Sequence, residues 1–462
     1  MIPAVIERCA GIDVGKKFLA VCVMTGAADE EAWAEIRKFG TVRHELVTLR
    51  EWLKSEGCTH VVMESTGVYW KPVLNVLEED PHYSLKIVLA NPQQVKAVTG
   101  HKIDPHDARW LAHLLRHAMI RPSFIPPRLI RELRDFTRRR KQMIRIAAQE
   151  RNRVQKVLED ANVKIGDVLS DVFGVSGQLM LEALVNGLDG EAQPRALEIA
   201  QLARGHARKK LEQLTAALEG HQMRRSHRTL IRHAMRHMAF LAEEIEALDR
   251  DIAALIVEAN LNAAYELLQT IPGIGSQAAA TILAESGPDM KQFPTAANFS
   301  SWSGLAPGNH ESGGKRKHAP ALKGNPHIKT ALVETAWSAS RTKDSEFQER
   351  YQRLKHKIGH KRALVACAHA LVIRIYECSI AVGRTALAKG ISNHAPSKDL
   401  SAIMPEGSTA SITGSPRRTL SRRRRCFQNN CHLFGRGGQS LNRLVRLLAH
   451  WNKRLAHCTL EA

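Results

Sequence analysis

Four carboxylates stand where a folded chain has little reason to keep a charge. Asp13 lies in the apolar run from Ala10 to Val14, and Glu64 follows Val61-Val62-Met63. Asp104 and Asp107 flank Pro105-His106 at the start of a helix-like segment. Acids at the ends of apolar strands are costly to bury unless a cation pairs with them. A set of oxygen donors of this kind suits Mg2+, which takes octahedral oxygen ligands and keeps several waters. Two such ions about 3.5–4 Å apart activate a nucleophile and stabilise a leaving oxygen in phosphoryl transfer. Each acid also has a plain structural explanation. Asp104 before Pro105 reads as an N-cap followed by Pro at the first helical position. Asp107 suits the positive end of the helix dipole, and Asp13 could cap a turn beside Gly15. Glu64 is the hardest to explain in this way. Taken jointly, the four favour metal binding.

A second group of residues lies far along the chain. Leu267 to Gly275 holds Ile271-Pro272-Gly273-Ile274-Gly275 ahead of a helix over Ser276–Glu285. This resembles a helix–hairpin–helix element, in which Gly273 and Gly275 would let backbone N–H groups approach a phosphate. An ordinary helix connection with two glycines is the plain alternative. Further on, Ser312 is followed by Gly313-Gly314 and then by Lys315, Arg316 and Lys317. The glycines permit close approach, the cations neutralise backbone phosphates, and Ser312 is a candidate nucleophile in a loop.

The elements that must position these residues follow from periodicity and breakers. Residues 8–118 read in the order βββαβαβα, an α/β layer with a mixed sheet. Pro122, Pro126 and Pro127 interrupt the chain. Leu129–Leu158 is then strongly helical and basic, with Arg138, Arg139, Arg140 and Lys141 as candidate nucleic-acid contacts. Residues 160–205 read as loosely helical, and a second helical stretch covers Ala207–Ala259. Within it Leu241, Ile245, Leu248, Ile252 and Leu255 recur at steps of four and three, a coiled-coil seam that serves a dimer or packing within one chain. Residues 265–383 form a further compact region. From about Ala386 the chain turns Arg/Ser-rich, with Arg422 to Arg425 in succession, and reads as largely disordered. The expected domains are 1–125, 126–262, 263–385 and 386–462.

The whole chain has 462 residues and a formal net charge of +21, from 67 Lys and Arg against 46 Asp and Glu. Such an excess favours a polyanionic partner, and nucleic acid above others. The eight cysteines are scattered and imply no disulfide framework, which suits a reducing cytosol. Cys426, Cys431 and His432 have the spacing of half a zinc site without a second half. No secretory signal is read. The apolar stretch Ala363–Gly383 is interrupted by His369, Arg374 and Glu377, so it reads as a buried or amphipathic helix and no membrane is implied. The His233/His237 and His356/His360 pairs lack an accompanying acid motif and read as contacts on basic helices. Tyr69, Trp70 and Trp302 read as core packing.

These motifs, in this order and spacing, resemble the DEDD transposases of bacterial insertion sequences, the "IS one-ten" family, over roughly residues 8–383. The segments that carry the resemblance are Gly11–Asp13, Glu64–Tyr69, Asn91-Pro92, Lys102–Arg109, Ile271–Gly275 and Gly304–Lys315. The resemblance implies an RNase H-like (RuvC-like) N-terminal domain with Asp13, Glu64, Asp104 and Asp107 as metal-binding acids. It implies a helical, coiled-coil connector used in oligomerisation, as a dimer or tetramer. A mainly α C-terminal transposase domain would carry Ser312, which becomes covalently linked to DNA phosphate. Family members act as bridge-RNA-guided recombinases, so DNA, a structured guide RNA and Mg2+ are the implied partners, in the bacterial cytoplasm near the nucleoid. Two other readings fit the residues alone. One is a metal-dependent junction-resolving nuclease that uses only the acids; the other is a non-catalytic, degenerate nucleic-acid-binding copy.

Overall fold

The computed structural model describes residues 4–65, 67–92, 95, 107–186, 195–308, 310–312, 314–317 and 323–388, with backbone alone at 310–312, 315–317 and 381–388. The chain divides into two compact units, Met1–Pro127 and Arg128–Ala462.

In the first unit, β1 (Arg8–Val14), β2 (Phe18–Thr25) and β3 (Trp33–Gly40) precede α1 (Arg43–Ser55), β4 (His60–Glu64), α2 (Trp70–Leu77), β5 (Lys86–Ala90) and α3 (Asp107–Arg116). The expected βββαβαβα order is present. The five strands form one mixed sheet in the order β3-β2-β1-β4-β5. β1–β2 and β2–β3 are antiparallel, while β1–β4 and β4–β5 are parallel. β1 and β4 are covered on both faces, which explains their near-continuous apolar runs. Ala10, Ile12 and Met63 join a core with Leu49 and Leu53 of α1 and Val73 of α2. On the opposite face Cys9, Val62 and Val88 pack with Ala108, Leu111 and Ala112 of α3.

Gly11 is the hinge of this second layer. A Cβ there would meet the Ala108 carbonyl oxygen at 2.2 Å and the Ala112 nitrogen at 2.4 Å. The α3 backbone therefore lies directly on β1, and only glycine allows it. Gly11→Ala is expected to destabilise this unit by about 1–3 kcal/mol through overpacking, read as a fall in the midpoint of urea unfolding. At the far end of α3, Arg116 is almost fully buried. It donates to the carbonyls of Ile6, Glu7, Gly26 and Ala27 and so ties the start of β1 to the β2–β3 turn.

The second unit begins with α4 (Arg128–Asp160) and is followed by α5 (Ile165–Val168), α6 (Val175–Asn186), α7 (Ala196–Gln201), α8 (Leu211–Leu218) and α9 (Arg225–Glu258). The stretch 160–205, expected to be loosely helical, supplies three helices among its described residues to a dense core. In it Ile165, Leu181 and Ile199 meet Leu158 of α4 and Met235 of α9. The expected helical stretch Ala207–Ala259 is not continuous. It breaks between α8 and α9, where Gly220 takes φ +69° and the Gln222 N–H donates to the Ala161 carbonyl at 2.8 Å. Leu241 and Ile245 pack on Met143 and Ala147 of α4, while Ile252 and Leu255 meet Ile130 and Leu133. The seam expected from the heptad spacing is thus filled within one chain.

The rest of this unit is α10 (Asn262–Gln269), α11 (Ser276–Ser286), α12 (Ala296–Trp302), β6 (His310–Ser312), β7 (Lys315–Lys317), α13 (Pro326–Ala339), α14 (Glu346–Ile358) and α15 (His360–Ala388). Residues His360–Ile380 are long and apolar enough to cross a membrane by length and composition. Ala363, Cys367, Leu371, Val372 and Ile375 are instead buried against Phe299, Leu332 and Phe347, as expected for a core helix.

Candidate acid site and nucleic-acid-contacting elements

The pairing register of the first unit brings two of the four expected acids together. Ile12 is opposite Met63 in the parallel β1–β4 pair. Asp13 and Glu64 are the next residues of each strand, so they lie side by side at the carboxyl ends of adjacent central strands. By strand alternation both share a face with Gly11 and Val62, the face that α3 covers. Asp107 opens α3, and the close seating of that helix on Gly11 delivers it to the same edge. Asp104 lies outside the described residues.

The electrostatics agree with this placement. The Asp13 carboxyl is held above its ordinary value by partial burial first and by the negative charge of Asp107 second; a hydrogen bond from the Val14 backbone pulls it partly back. Two carboxylates that repel one another at a half-buried strand end form an oxygen-only donor set, which fits a hard divalent cation. Among the described residues, no group of three or more His, Cys, Asp or Glu side chains is placed to hold a metal ion. The loop leaving Glu64 exposes Val68 and Tyr69, and Gly67 takes φ +59°. The expectation that Tyr69 is core is therefore overturned. Its backbone forms the lip of α2, and its ring turns out over Gly67. Trp70 packs inward, and Trp302 packs on Phe293 and Phe299 with centroids 5.1 and 6.0 Å away.

The thiols offer no competing nucleophile in this unit. Burial pushes Cys9 and Cys58 up to about 12 and Cys22 up to about 11, and all three are free.

In the second unit, Ser312 lies in a two-stranded hairpin rather than an unpaired loop. β6 and β7 pair antiparallel with Ser312 opposite Lys315, Glu311 opposite Arg316 and His310 opposite Lys317. Pairing satisfies backbone groups that a loop would leave to water, and Gly314, with φ +73°, supplies the turn. The register sets the candidate nucleophile across from the first of three consecutive cations.

Gly273 has a packing reason for being glycine. It takes φ +88°, and a Cβ would meet the Ala339 nitrogen at 2.5 Å. Gly275, by contrast, precedes α11 with open space around it. Of the candidate cations on α4, Arg138 makes two hydrogen bonds to Glu285 (2.7 and 2.8 Å). Arg140 makes two to Asp249 (2.5 and 3.1 Å), and Lys141 reaches Glu334 at 2.6 Å. Arg139 is exposed beside Gln142. Sequence reading missed Glu285, which is fully buried. A single carboxylate closing the Ala-rich, largely apolar helix Ser276–Ser286 was the available signal. Cys426, Cys431, His432 and the Arg-rich tail lie outside the described residues.

Comparison with known proteins places these segments. The family described as "Transposase" for DEDD-type IS110 proteins matches residues 10–163, which contain all four acids. The description "Transposase IS116/IS110/IS902 family" matches residues 265–352, which contain Gly273, Gly275 and Ser312. A probable family 20 transposase of Pseudomonas aeruginosa is 27% identical over 312 residues, or 64% of this chain and 78% of the relative. A pilin gene-inverting protein of Moraxella bovis is 30% identical over 146 residues, 31% of this chain and 44% of that protein. An IS110 insertion-element protein of Streptomyces coelicolor is 37% identical over 106 residues, 21% of this chain and 25% of its own length. With one family description covering the acid-bearing sheet and the other the glycine and serine segments, the chain belongs to the IS110 family of transposases.

Proposed function

We propose that this transposase cuts and rejoins DNA with Mg2+ held by Asp13, Glu64, Asp104 and Asp107 and with Ser312 as the nucleophile. The observation that carries the reading is that Asp13 and Glu64 end adjacent paired strands, with the charge of Asp107 acting on Asp13. The strand order, three antiparallel strands continued by two parallel ones with acids at the ends of the central pair, supports an RNase H-like (RuvC-like) assignment for residues 1–125. Bound Mg2+ would neutralise charge developing on the phosphate oxygens and the departing oxygen.

The chain's own part is as follows. The Ser312 oxygen attacks phosphorus, a serine O–P bond forms, and the P–O bond to the departing sugar oxygen breaks. The serine proton is lost, and the departing oxygen gains one. In rejoining, a strand hydroxyl attacks the phosphoserine, and serine recovers its proton. Lys315, opposite Ser312, with Arg316 and Lys317, would offset phosphate charge. Gly275 offers unobstructed backbone to a phosphate.

A structured guide RNA is the second nucleic-acid partner in this reading. Arg139 and the exposed face of α4 formed by Gln142, Arg145, Gln149, Asn152 and Lys156, at steps of three and four, support its placement there. Residues 126–262 would be the connector of a dimer or tetramer, 263–385 the serine-bearing domain and 386–462 a basic tail, in a cytoplasmic protein.

Ser312→Ala is expected to eliminate the covalent protein–DNA species seen on denaturing gels of labelled DNA. A persistent adduct would remove serine from the mechanism. Loss of the adduct with cutting retained would favour a junction nuclease that uses the acids alone.

A further inference from the structure

The β6–β7 hairpin is carried by a segment whose two ends are clasped together. A Cβ on Gly324 would meet the Gly304 nitrogen at 2.2 Å, the Gly304 Cα at 2.5 Å and the Trp302 carbonyl oxygen at 2.5 Å. The Asn325 N–H donates to that same Trp302 carbonyl at 3.0 Å. Ser303, Gly304 and Leu305 are buried at this base. Gly324 and Asn325 are therefore held against Trp302 and Gly304, backbone against backbone.

Asn325 joins this point to a buried charge. Its Nδ2 donates to Glu285 Oε2 at 2.7 Å, while its Oδ1 accepts from the His327 N–H at 2.9 Å and caps α13. Glu285 is fully buried and is held from the other side by Arg138, at 2.7 Å, and Arg134, at 3.5 Å. Arg134 in turn donates to the Ala284 and Glu285 carbonyls. One carboxylate thus binds α4, α11 and the exit of the serine segment. An N-cap alone needs only the Asn325 oxygen. The second hydrogen bond, to a buried carboxylate, is more than capping requires.

We infer that Asn325, anchored by Glu285, is a positioning residue for Ser312: it sets the base from which the hairpin presents the nucleophile. This rests on the reading of Ser312 as the attacking group. Rate in such reactions depends steeply on placement, a displacement of about 1 Å costing about 100-fold.

Asn325→Ser in the full chain provides the test. Serine keeps the cap but is too short to reach Glu285. The expected result is a melting temperature lowered by a few degrees with the chain still folded, an unchanged DNA affinity, and a rate of adduct formation at saturating DNA lowered by about 10- to 100-fold. Asn325→Asp, which keeps the cap but faces Glu285 with a like charge, is expected to fall further. The double change Asn325→Asp with Glu285→Gln exchanges donor and acceptor, and is expected to recover much of the loss. Wild-type adduct rates in both single variants, or a folded double variant without recovery, overturn the positioning role. If Ser312→Ala still forms the adduct, the nucleophile assignment itself fails, an outcome distinct from the first.

Discussion

Asp13→Asn should lower strand cleavage by at least about 100-fold and at the same time leave the metal-free protein as stable as the wild type or more so. Removing partners that merely orient metal ligands costs 10- to 100-fold in affinity or activity, and loss of a ligand sets that as a floor. The stability half follows from the raised Asp13 carboxyl. A group whose folded value lies above its unfolded one stabilises the fold below the unfolded value. That contribution is lost as pH rises through the folded value. At neutral pH the ionised Asp13 therefore opposes folding, through burial and through Asp107, and Asn relieves it. Mg2+ reverses the order, because a ligand that binds only the folded state stabilises it. Thermal melts in chelator and in Mg2+ decide the matter. A variant that melts well below the wild type in chelator, or that still gains the full Mg2+ shift, would falsify this account of the acid edge.

Glu285→Ala is expected to have the largest effect on stability in the second unit, a loss of about 3–5 kcal/mol. The carboxylate is fully buried, and its removal takes from Arg138 and Arg134 the buried counter-charge they share. Arg134 is already pulled below its ordinary value by burial, with Glu285 holding it up. For Glu285 itself burial is the largest influence and raises the carboxyl. The hydrogen bond and charge of Arg138, then Asn325 and Arg134, outweigh it and bring it below the usual value. Its contribution is accordingly present above the unfolded carboxylate value, about 4.3 for a free Glu, and is lost as pH falls through the folded one. Urea unfolding of the whole chain at neutral and acid pH measures both. The wild type should lose part of its advantage over Glu285→Ala on acidification. A gap that stays constant with pH, or a loss under about 1 kcal/mol, the scale of an exposed pair, would refute the buried-hub interpretation.

Much of the sheet unit was legible in the chain. Alternating and continuous apolar runs marked β1, β2, β4 and β5, and Asn91-Pro92 marked the end of β5, because strand periodicity and breakers are local properties. The second unit was harder to read. Residues 160–205 carry short helices whose faces make sense only once Leu158 and Met235 from distant helices are beside them. The break at Gly220 hides in a helix-friendly composition, and Ser312 read as loop because three-residue strands leave almost no periodic signal.

The site divides along the same line. The sequence by itself determined which groups could do chemistry: four acids in costly surroundings, a serine beside two glycines and three cations, and a basic excess that calls for nucleic acid. These follow from residue type and near neighbours. Only the tertiary structure decided that Asp13 and Glu64 end adjacent strands, and that Gly11 lets α3 bring the charge of Asp107 within reach of Asp13. It alone decided that Arg138 and Arg140 are occupied by Glu285 and Asp249 rather than free. Parallel pairing and ion pairing across more than a hundred residues depend on register and burial. Neither quantity is encoded in any short stretch of chain.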